Sequence, residues 1–495
     1  YKCNYAIINT DARNQPKVDP MKSMYTGCLT DGWCMGLDCS AMQCRLDPVP
    51  QKHDFGRVTK GCASAEQLIK IYNNGNKAIN ITKFEMAGDT NSSFVLTKNP
   101  ATPFPVAAGA YVEVKIKYKP TASGLTEGQA ENATFNAYSD CDPTGTAPVT
   151  SVPLNGTVTL ITDQTDTFKV PDKPTVDILW CIDNSGSMDD DQQAMAANFP
   201  KFMQYLTSFN SDFQIGTVTS EVNDTYDQDG GKVAPGLLYA KNGYPRIIAN
   251  VPPASPTAPY LPKTTKYQEA FQANATPGSC CSDAQEACLQ AVKLTLSEPN
   301  ISDVNANAGF VRKMAKLVII MMSDEVDQSD DGVDFYADFL LSVKGARNTT
   351  QLSVSVIAEL DKNFDPANPT DFPVGADCAA GQQTGGAGTK QALLFKKVYG
   401  YTNQGLALNI CEDTWGTFMS KLGLEGFVPP TQYFLSRAAD ESTIEVTLDG
   451  VAVDGNDAKK GYTYDQASNS IIFGPEAPLN KGSTIVVKYT AQCYT

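Results

Sequence analysis

The sequence predicts a multi-domain chain in which an α/β doubly wound domain, built on an open and mainly parallel sheet, is flanked by all-β domains. Two observations carry this prediction. Over 170–428, apolar strand-like runs alternate with amphipathic helical patterns, as in a parallel sheet covered by helices on both faces. On either side, over 51–165 and 431–495, apolar residues recur at every second position between turn signals, the pattern of half-buried strands. The chain has 495 residues, 42% hydrophobic and 19% charged, enough for three or four domains with cores of their own.

Residues 1–50 contain Cys3, Cys28, Cys34, Cys39 and Cys44 with little periodicity. They read as a Cys-rich, disulfide-stapled segment, or as an extension packed on the next domain. In 51–165, YVEVKIKYKP sets Val112, Val114, Ile116 and Tyr118 on one face. LIKIY, AINITKF, ATFNAY and SVPLNGTV repeat the theme between turns such as NNGN and SDCDPTG. Short strands at this spacing argue for an immunoglobulin-like sandwich, with Cys62–Cys141 as its candidate bridge.

In 170–428, VDILWCID, FQIGTVTS, KLVIIMMSD and LSVSVIAEL read as strands. QQAMAANFPKFMQYLTSF, SDAQEACLQAVKLTL and VDFYADFLLSVKG read as helices, the second with Cys288, Ala291, Val292, Thr295 and Leu296 on one face. Cys181, on the first strand, reads as a buried free thiol. Over 431–495, TIEVTLDGVAV, NSIIFG and GSTIVVKYTAQC give a small C-terminal β-domain, whose Cys493 is expected to reach the N-terminal cysteine group.

Composition narrows the function classes. A net charge of −16 argues against nucleic acid, whose binding needs a basic face, while an acidic surface concentrates divalent cations. The single histidine, His53, excludes His-rich zinc sites and leaves any Ser-His-Asp triad dependent on a residue outside the large domain. The cysteines number fourteen, an even count, and the five in the first 44 residues lack paired CxxC spacing, a pattern that reads as disulfides formed in an oxidising compartment. The chain starts at Tyr1 rather than Met, the pattern left when a signal peptide is removed or omitted. No apolar run approaches the ~18 residues of a membrane span. The expectation is a secreted, cell-surface or periplasmic protein with no transmembrane segment in this chain.

One stretch stands out. In VDILWCIDNSGSMDDD an apolar run ends on Asp183, followed by Ser185 and Ser187 at alternate positions. An extended turn points all three the same way. Asp324 ends a second apolar strand in MMSDEVD, and a third loop, TPGSCCSDAQEA, leads into a helix. Both acidic strand ends fall at the carboxyl edge of the sheet, where ligands of such sheets bind. The donors are all hard oxygens, suited to Mg2+, Ca2+ or Mn2+. The neighbours have plainer readings. Asp189, Asp190 and Asp191 read as a solvated helix start, and Ser187 or Asp189 as its cap. Glu325 and Asp327 read as solvated or supporting groups, Glu221 and Asp224 as supporting or plain loop residues, and Asp227–Gly231 as a turn.

DNSGSM, placed after a buried strand and before an amphipathic helix, with SDE at the end of a later strand, resembles von Willebrand factor A domains, the fold shared with integrin I domains. The resemblance covers roughly 175–428. It implies a Rossmann-like sheet and a metal-ion-dependent adhesion site formed by Asp183, Ser185, Ser187 and Asp324. The family adds a threonine from a loop that precedes a helix. Here the matching hydroxyl is Ser282, with Asp283 and Ser279 as alternatives, in a loop where Cys280, Cys281 and Cys288 offer a local disulfide. In that family the hydroxyls bind the metal directly and an Asp acts through water, so the metal seeks an outside carboxylate. The resemblance therefore implies an adhesin, not an enzyme, that binds a cell-surface protein or glycan through an exposed acidic group. The arrangement of domains resembles envelope or secreted proteins of Gram-negative bacteria. Two alternatives are a structural envelope scaffold stabilised by its metal and a metal-dependent hydrolase.

Overall fold

The computed structural model describes residues 44–495 except 172, 209, 223–224, 227–231, 234, 251–265, 279–285, 304–305, 361–387, 412–414, 426–430, 456 and 495, with the backbone of two short strands before them, Ile8–Thr10 and Pro16–Val18. Two compact units emerge, one of Tyr1–Leu37 with Lys173–Pro429, the other of Asp38–Asp172 with Pro430–Thr495. The chain is β-rich overall, and the α-helices described fall in the first of these.

The second unit holds a pair of sheets around one core. The five-stranded sheet runs in the order His53–Thr59, Thr150–Thr159, Ala130–Ser139, Ile79–Ala87, Phe104–Val106. The four-stranded sheet runs Leu46–Val49, Gln67–Asn73, Tyr111–Tyr118, Phe94–Lys98. Val112, Val114, Ile116 and Tyr118 all point inward, as the alternation predicts, and meet Phe135, Val152 and Leu154 of the other sheet. Gly156 lies where a Cβ would stand 2.5 Å from the Tyr118 ring, so a strand position that would otherwise favour a side chain is kept bare.

The same unit contains the C-terminal β-structure. Asp163–Lys169, a polar strand divided by the sequence boundary at 165, pairs antiparallel with Thr484–Thr490, which also pairs with Glu445–Leu448. A three-stranded sheet of Gln432–Phe434, Ser470–Phe473 and Tyr462–Asp465 completes it. Val446, Leu448, Ile471, Phe473, Ile485 and Val487 share its core.

The sulfur pairing corrects two expectations. Cys141 pairs with Cys44, not Cys62. Cys62 pairs with Cys493, 431 positions away, because Ala63 forms a β-bridge with Tyr494 that brings the two together. Cys493 therefore does not reach the cysteines of the first 44 residues. Among these, Cys3, Cys28, Cys34 and Cys39 lie outside the described residues.

The first unit is built on a six-stranded sheet. Its strands are β1 (Thr175–Ile182), β2 (Asp212–Thr219), β3 (Ile248–Ala249), β4 (Lys316–Ser323), β5 (Leu352–Ala358) and β6 (Ala407–Asn409). Their spatial order is β3-β2-β1-β4-β5-β6, parallel throughout except for β3. The helices are α1 (Asp189–Ser208), α2 (Tyr267–Ala275), α3 (Cys288–Leu296), α4 (Val333–Val343), the single turn α5 (Asn348–Gln351), α6 (Thr389–Thr402) and α7 (Trp415–Glu425).

Strand alternation sorts the packing. Val176, Ile178, Trp180 and Ile182 of β1 share a core with α1, α2 and α7. In α1 the buried residues Met195, Phe199, Phe202 and Met203 fall at helical spacing. Phe199 stacks on Phe271 at 3.6 Å between centroids, and Trp180 meets Phe271 edge-on at 5.6 Å; such pairs add about 0.5–1.5 kcal/mol each beyond area burial. The opposite face of β1 turns Cys181 toward α3, where it is bonded to Cys288. Cys181 is therefore not a free thiol, and Cys288 is not joined to the Cys280–Cys281 pair. Gly405, at φ +115°, leads into β6 where a Cβ would sit 2.0 Å from the Val354 carbonyl; only glycine fits.

At the amino end of the sheet, Asp177 is fully buried on β1. It accepts from Arg312 Nε at 2.7 Å and from the Arg312 backbone N–H at 2.6 Å. Arg312 also donates to Asp212 at 2.5 Å and to the Val176 carbonyl at 2.9 Å. Lys344 Nζ donates to the carbonyls of Arg312 and Ala315 at 2.9 and 2.5 Å. Removing one partner of such a buried pair leaves an uncompensated charge. Arg312→Ala should therefore cost about 3–5 kcal/mol in urea unfolding, and Arg312→Met with Asp177→Leu should recover most of it. A loss under about 1 kcal/mol for the single variant would mean that the pair does not hold this end of the sheet.

Candidate metal centre

The site follows from register. β1 and β4 pair in parallel with Ile182 opposite Met322, so the next residues, Asp183 and Ser323, emerge side by side. The Asp183 N–H extends the ladder to the Met322 carbonyl at 3.0 Å. Strand order also reverses direction here, with β2 on one side of β1 and β4 on the other, the position at which open α/β sheets bind their ligands.

Asp183 is fully buried, and its carboxylate is taken up by neighbours. Oδ1 accepts the Ser185 N–H at 2.8 Å and the Ser220 hydroxyl at 3.4 Å, and Oδ2 accepts the Ser323 hydroxyl at 2.5 Å. Gln192 of α1 donates to the Asp183 carbonyl at 2.8 Å and accepts the Gly278 N–H at 3.2 Å, tying the first loop to the start of the third. In front of Asp183 runs a string of oxygens. Ser185 Oγ lies 3.1 Å from Ser187 Oγ, and Ser187 Oγ donates to Asp324 Oδ1 at 3.2 Å.

The structure thus brings together Asp183, Ser185, Ser187 and Asp324. Ser282 and its alternatives Ser279 and Asp283, with Cys280 and Cys281, lie outside the described residues, as do Asp224 and Asp227–Gly231. Glu221 is buried. Glu325 and Asp327 are not plain solvated residues. Glu325 Oε2 is buried with no hydrogen-bond partner among the described residues. Asp327 is buried and accepts the N–H groups of Ser329 and Leu289 at 2.9 and 3.0 Å.

The sequence reading missed Ser220, Ser323 and Gln192. Ser323 was within reach, because once β1 and β4 are neighbours the residue before Asp324 must face Asp183. The trailing aspartates were also undervalued. Asp189 and Asp190 are exposed, but Asp190 and Asp191 enter the field of Asp324.

That field is strongly negative. Burial pushes the Asp183 carboxyl up to about 6; hydrogen bonds from Ser323 and Ser185 oppose the rise and the charge of Asp324 adds to it. Burial also raises Asp324, against the Ser187 hydroxyl and with the help of Asp190. Glu325 is pushed to about 7 by burial, Asp324 and Asp183. Asp191 reaches about 7 through burial, Asp190 and Asp324. Glu286, just before α3, reaches about 8 through burial, Asp183 and Glu325. These carboxyls raise one another, and a cation among them would reverse the effect.

A hard divalent cation fits the donor set. Adjacent ligands of octahedral Mg2+ at about 2.1 Å stand about 3 Å apart, which matches the oxygen string. Among the described residues no group of three His, Cys, Asp or Glu side chains could hold a metal; the donors here are two hydroxyls and one carboxylate.

Comparisons with known proteins give weak likenesses. No family model matches the chain, and no curated protein matches it. Among solved structures, the chain is similar to the secreted serine protease VesC from Vibrio cholerae, at 21% identity over 24% of this chain and 23% of that one, with a TM-score of 0.18. It is similar to an aerotolerance-related membrane protein from Bacteroides fragilis, at 12% identity over 50% of this chain and 98% of that one, TM-score 0.28. It is also similar to the pilus adhesin SpaC from Lactobacillus rhamnosus, at 11% identity over 81% of this chain and 45% of that one, TM-score 0.27. The chain thus spans less than half the length of the first and last of these, and at such TM-scores none of the likenesses bears on its function. No helix among the described residues is long and apolar enough to cross a membrane.

The raised carboxyls would make the binding of any cation among them pH-dependent. They bind protons more tightly folded than unfolded, so their ionisation weakens the cation-free fold as pH rises from about 4, the unfolded value, through 6–8, where Asp183, Glu325, Asp191 and Glu286 titrate. A cation must displace those protons at low pH and relieves the repulsion at high pH. The rise in Tm on adding Mg2+ or Mn2+ should therefore be larger at pH 8 than at pH 5.5. Equal shifts at the two values would show that these carboxyls do not sense the cation.

Proposed function

We propose that residues 173–429 form a doubly wound domain of the von Willebrand A type that holds a divalent cation, Mg2+ first and Ca2+ or Mn2+ as alternatives, and presents it to an acidic group on a cell-surface protein or glycan. The β-structures, the larger of them read as an immunoglobulin-like sandwich, serve as stalk or brace. The observation that carries this reading is the string Ser185–Ser187–Asp324, with oxygens 3.1 and 3.2 Å apart, standing before a fully buried Asp183 at the point where strand order reverses. The order 3-2-1-4-5-6 is that of doubly wound sheets. The resemblance of DNSGSM and SDE to the family motif supports the same reading.

Each residue has a separable role. Asp183 orients the first loop by accepting the Ser185 N–H, and its buried carboxylate would add negative charge to the field at a bound cation. Ser185 and Ser187 would hold the cation through neutral oxygens, and Asp324 would contribute one full negative charge. When bound, the cation would supply a positive centre with coordination positions open to an external carboxylate oxygen. Recognition is favoured over turnover because the single histidine, His53, belongs to the other unit, so no imidazole base comes from this one. The disulfides Cys44–Cys141, Cys62–Cys493 and Cys181–Cys288 support an extracytoplasmic place.

Calorimetric titration with Mg2+ and Mn2+ should show one site, weakened at least about tenfold by Ser185→Ala or Asp324→Ala. Binding of the chain to glycan and cell surfaces should then require the cation and fail when surface carboxylates are amidated. Surface binding that survives both EDTA and Ser185→Ala would overturn the proposal.

A further inference from the structure

The turn that carries Asp324 is irregular from Asp324 to Gly332, yet it is held closely. Its anchor is the amino end of α3. Leu289 N–H donates to Asp327 Oδ2 at 3.0 Å, and Gln290 N–H donates to Ser329 Oγ at 2.9 Å. Gln328 donates from its backbone to the Glu286 carbonyl at 2.7 Å and from Nε2 to Glu286 Oε2 at 2.9 Å. Lys390 of α6 donates to the Ser329 carbonyl at 2.6 Å.

α3 is fixed in turn to β1. Cys288 is bonded to Cys181, with Cα atoms 5.9 Å apart, two positions before Asp183. Both cysteines are buried. Ala287 N–H donates to the Ser220 carbonyl at 2.9 Å, and Ser220 N–H donates to the Ile182 carbonyl at 3.1 Å. The links close a ring. One arc runs Asp183, Ser185, Ser187, Asp324 through the candidate centre. The other runs Cys181, Cys288, Leu289, Asp327 behind it.

Neutral hydroxyls bind a cation weakly one at a time, so affinity depends on holding the oxygens at their spacing. β-pairing sets where Asp183 and Ser323 emerge, but it ends at Ser323, and the position of the Asp324 turn depends on α3. We infer that the Cys181–Cys288 disulfide, acting through Asp327 and Ser329, positions the oxygens of the candidate centre, so that full cation affinity belongs to the chain with this bond formed. The inference rests on the cation-binding reading given above.

The test uses the full chain and Mn2+ titration, with circular dichroism and thermal melts to establish folding at the titration temperature. Cys181→Ala with Cys288→Ala, Ser329→Ala and Asp327→Asn should each lose about tenfold or more in Mn2+ affinity while folded, the range seen when groups supporting metal ligands are removed. Ser329→Thr, which keeps the hydroxyl, should retain wild-type affinity. Arg312→Ala, at the far end of the sheet, should lower Tm without changing the affinity, which separates positioning from general destabilisation. Folded variants that bind Mn2+ as wild type does would overturn the inference, whatever their Tm. If the cysteine variant does not fold, Ser329→Ala and Asp327→Asn decide the question. Failure of the cation-binding reading would show separately, as a wild-type chain that binds no Mn2+ at all, and would remove this inference with it.

Discussion

The constraint on which the rest of the site depends is the burial of one carboxylate, Asp183, at the end of a parallel strand pair. A fully buried charge must be answered by hydrogen bonds or by a cation. Three donors answer it here: the Ser185 N–H, the Ser220 hydroxyl and the Ser323 hydroxyl. Each comes from a different segment, the loop after β1, the residue after β2 and the last residue of β4. One side chain thereby brings three segments of the sheet edge into register, and the serines in front of it inherit their positions.

The excess of negative charge is a second-order consequence of the same placement. Asp324, Glu325, Asp191 and Glu286 crowd the edge, and each is raised by at least one of its neighbours or by Asp183 or Asp190. Sequestering so many acids near one point is by itself unfavourable for the fold. The fold tolerates it through interactions elsewhere, including the aromatic stack around Phe199, Phe271 and Trp180 and the Asp177–Arg312 pair at the opposite end of the sheet.

Much of this was legible in the sequence, for identifiable reasons. Strands with strict alternation, such as Tyr111–Tyr118, or with unbroken apolar runs, such as Lys316–Ser323, stand where the pattern put them, because burial on one face or both leaves a local trace. The oxygens after β1 were visible because an apolar run ended on them. Three kinds of feature were not legible. The polar strand Asp163–Lys169 has its partner, Thr484–Thr490, more than 300 residues away, and its own sequence, DQTDTFK, carries little apolar alternation. Helices α2, α6 and α7 are absent from the sequence reading, although each carries buried residues at helical spacing. The sulfur pairings were misjudged because they depend on which faces meet. Cys181 looks like a core thiol until the far face of β1 is seen to meet α3.

The Cys62–Cys493 bond has a mechanical meaning. The segment Lys173–Pro429 stands in the sequence between the two segments of the other unit, Asp38–Asp172 and Pro430–Thr495. A force on that segment would leave it along the chain at both of its ends. The bond between Cys62 and Cys493 joins Asp38–Asp172 covalently to Pro430–Thr495, so the two segments that receive such a force are held to each other by a bond and not by β-pairing alone.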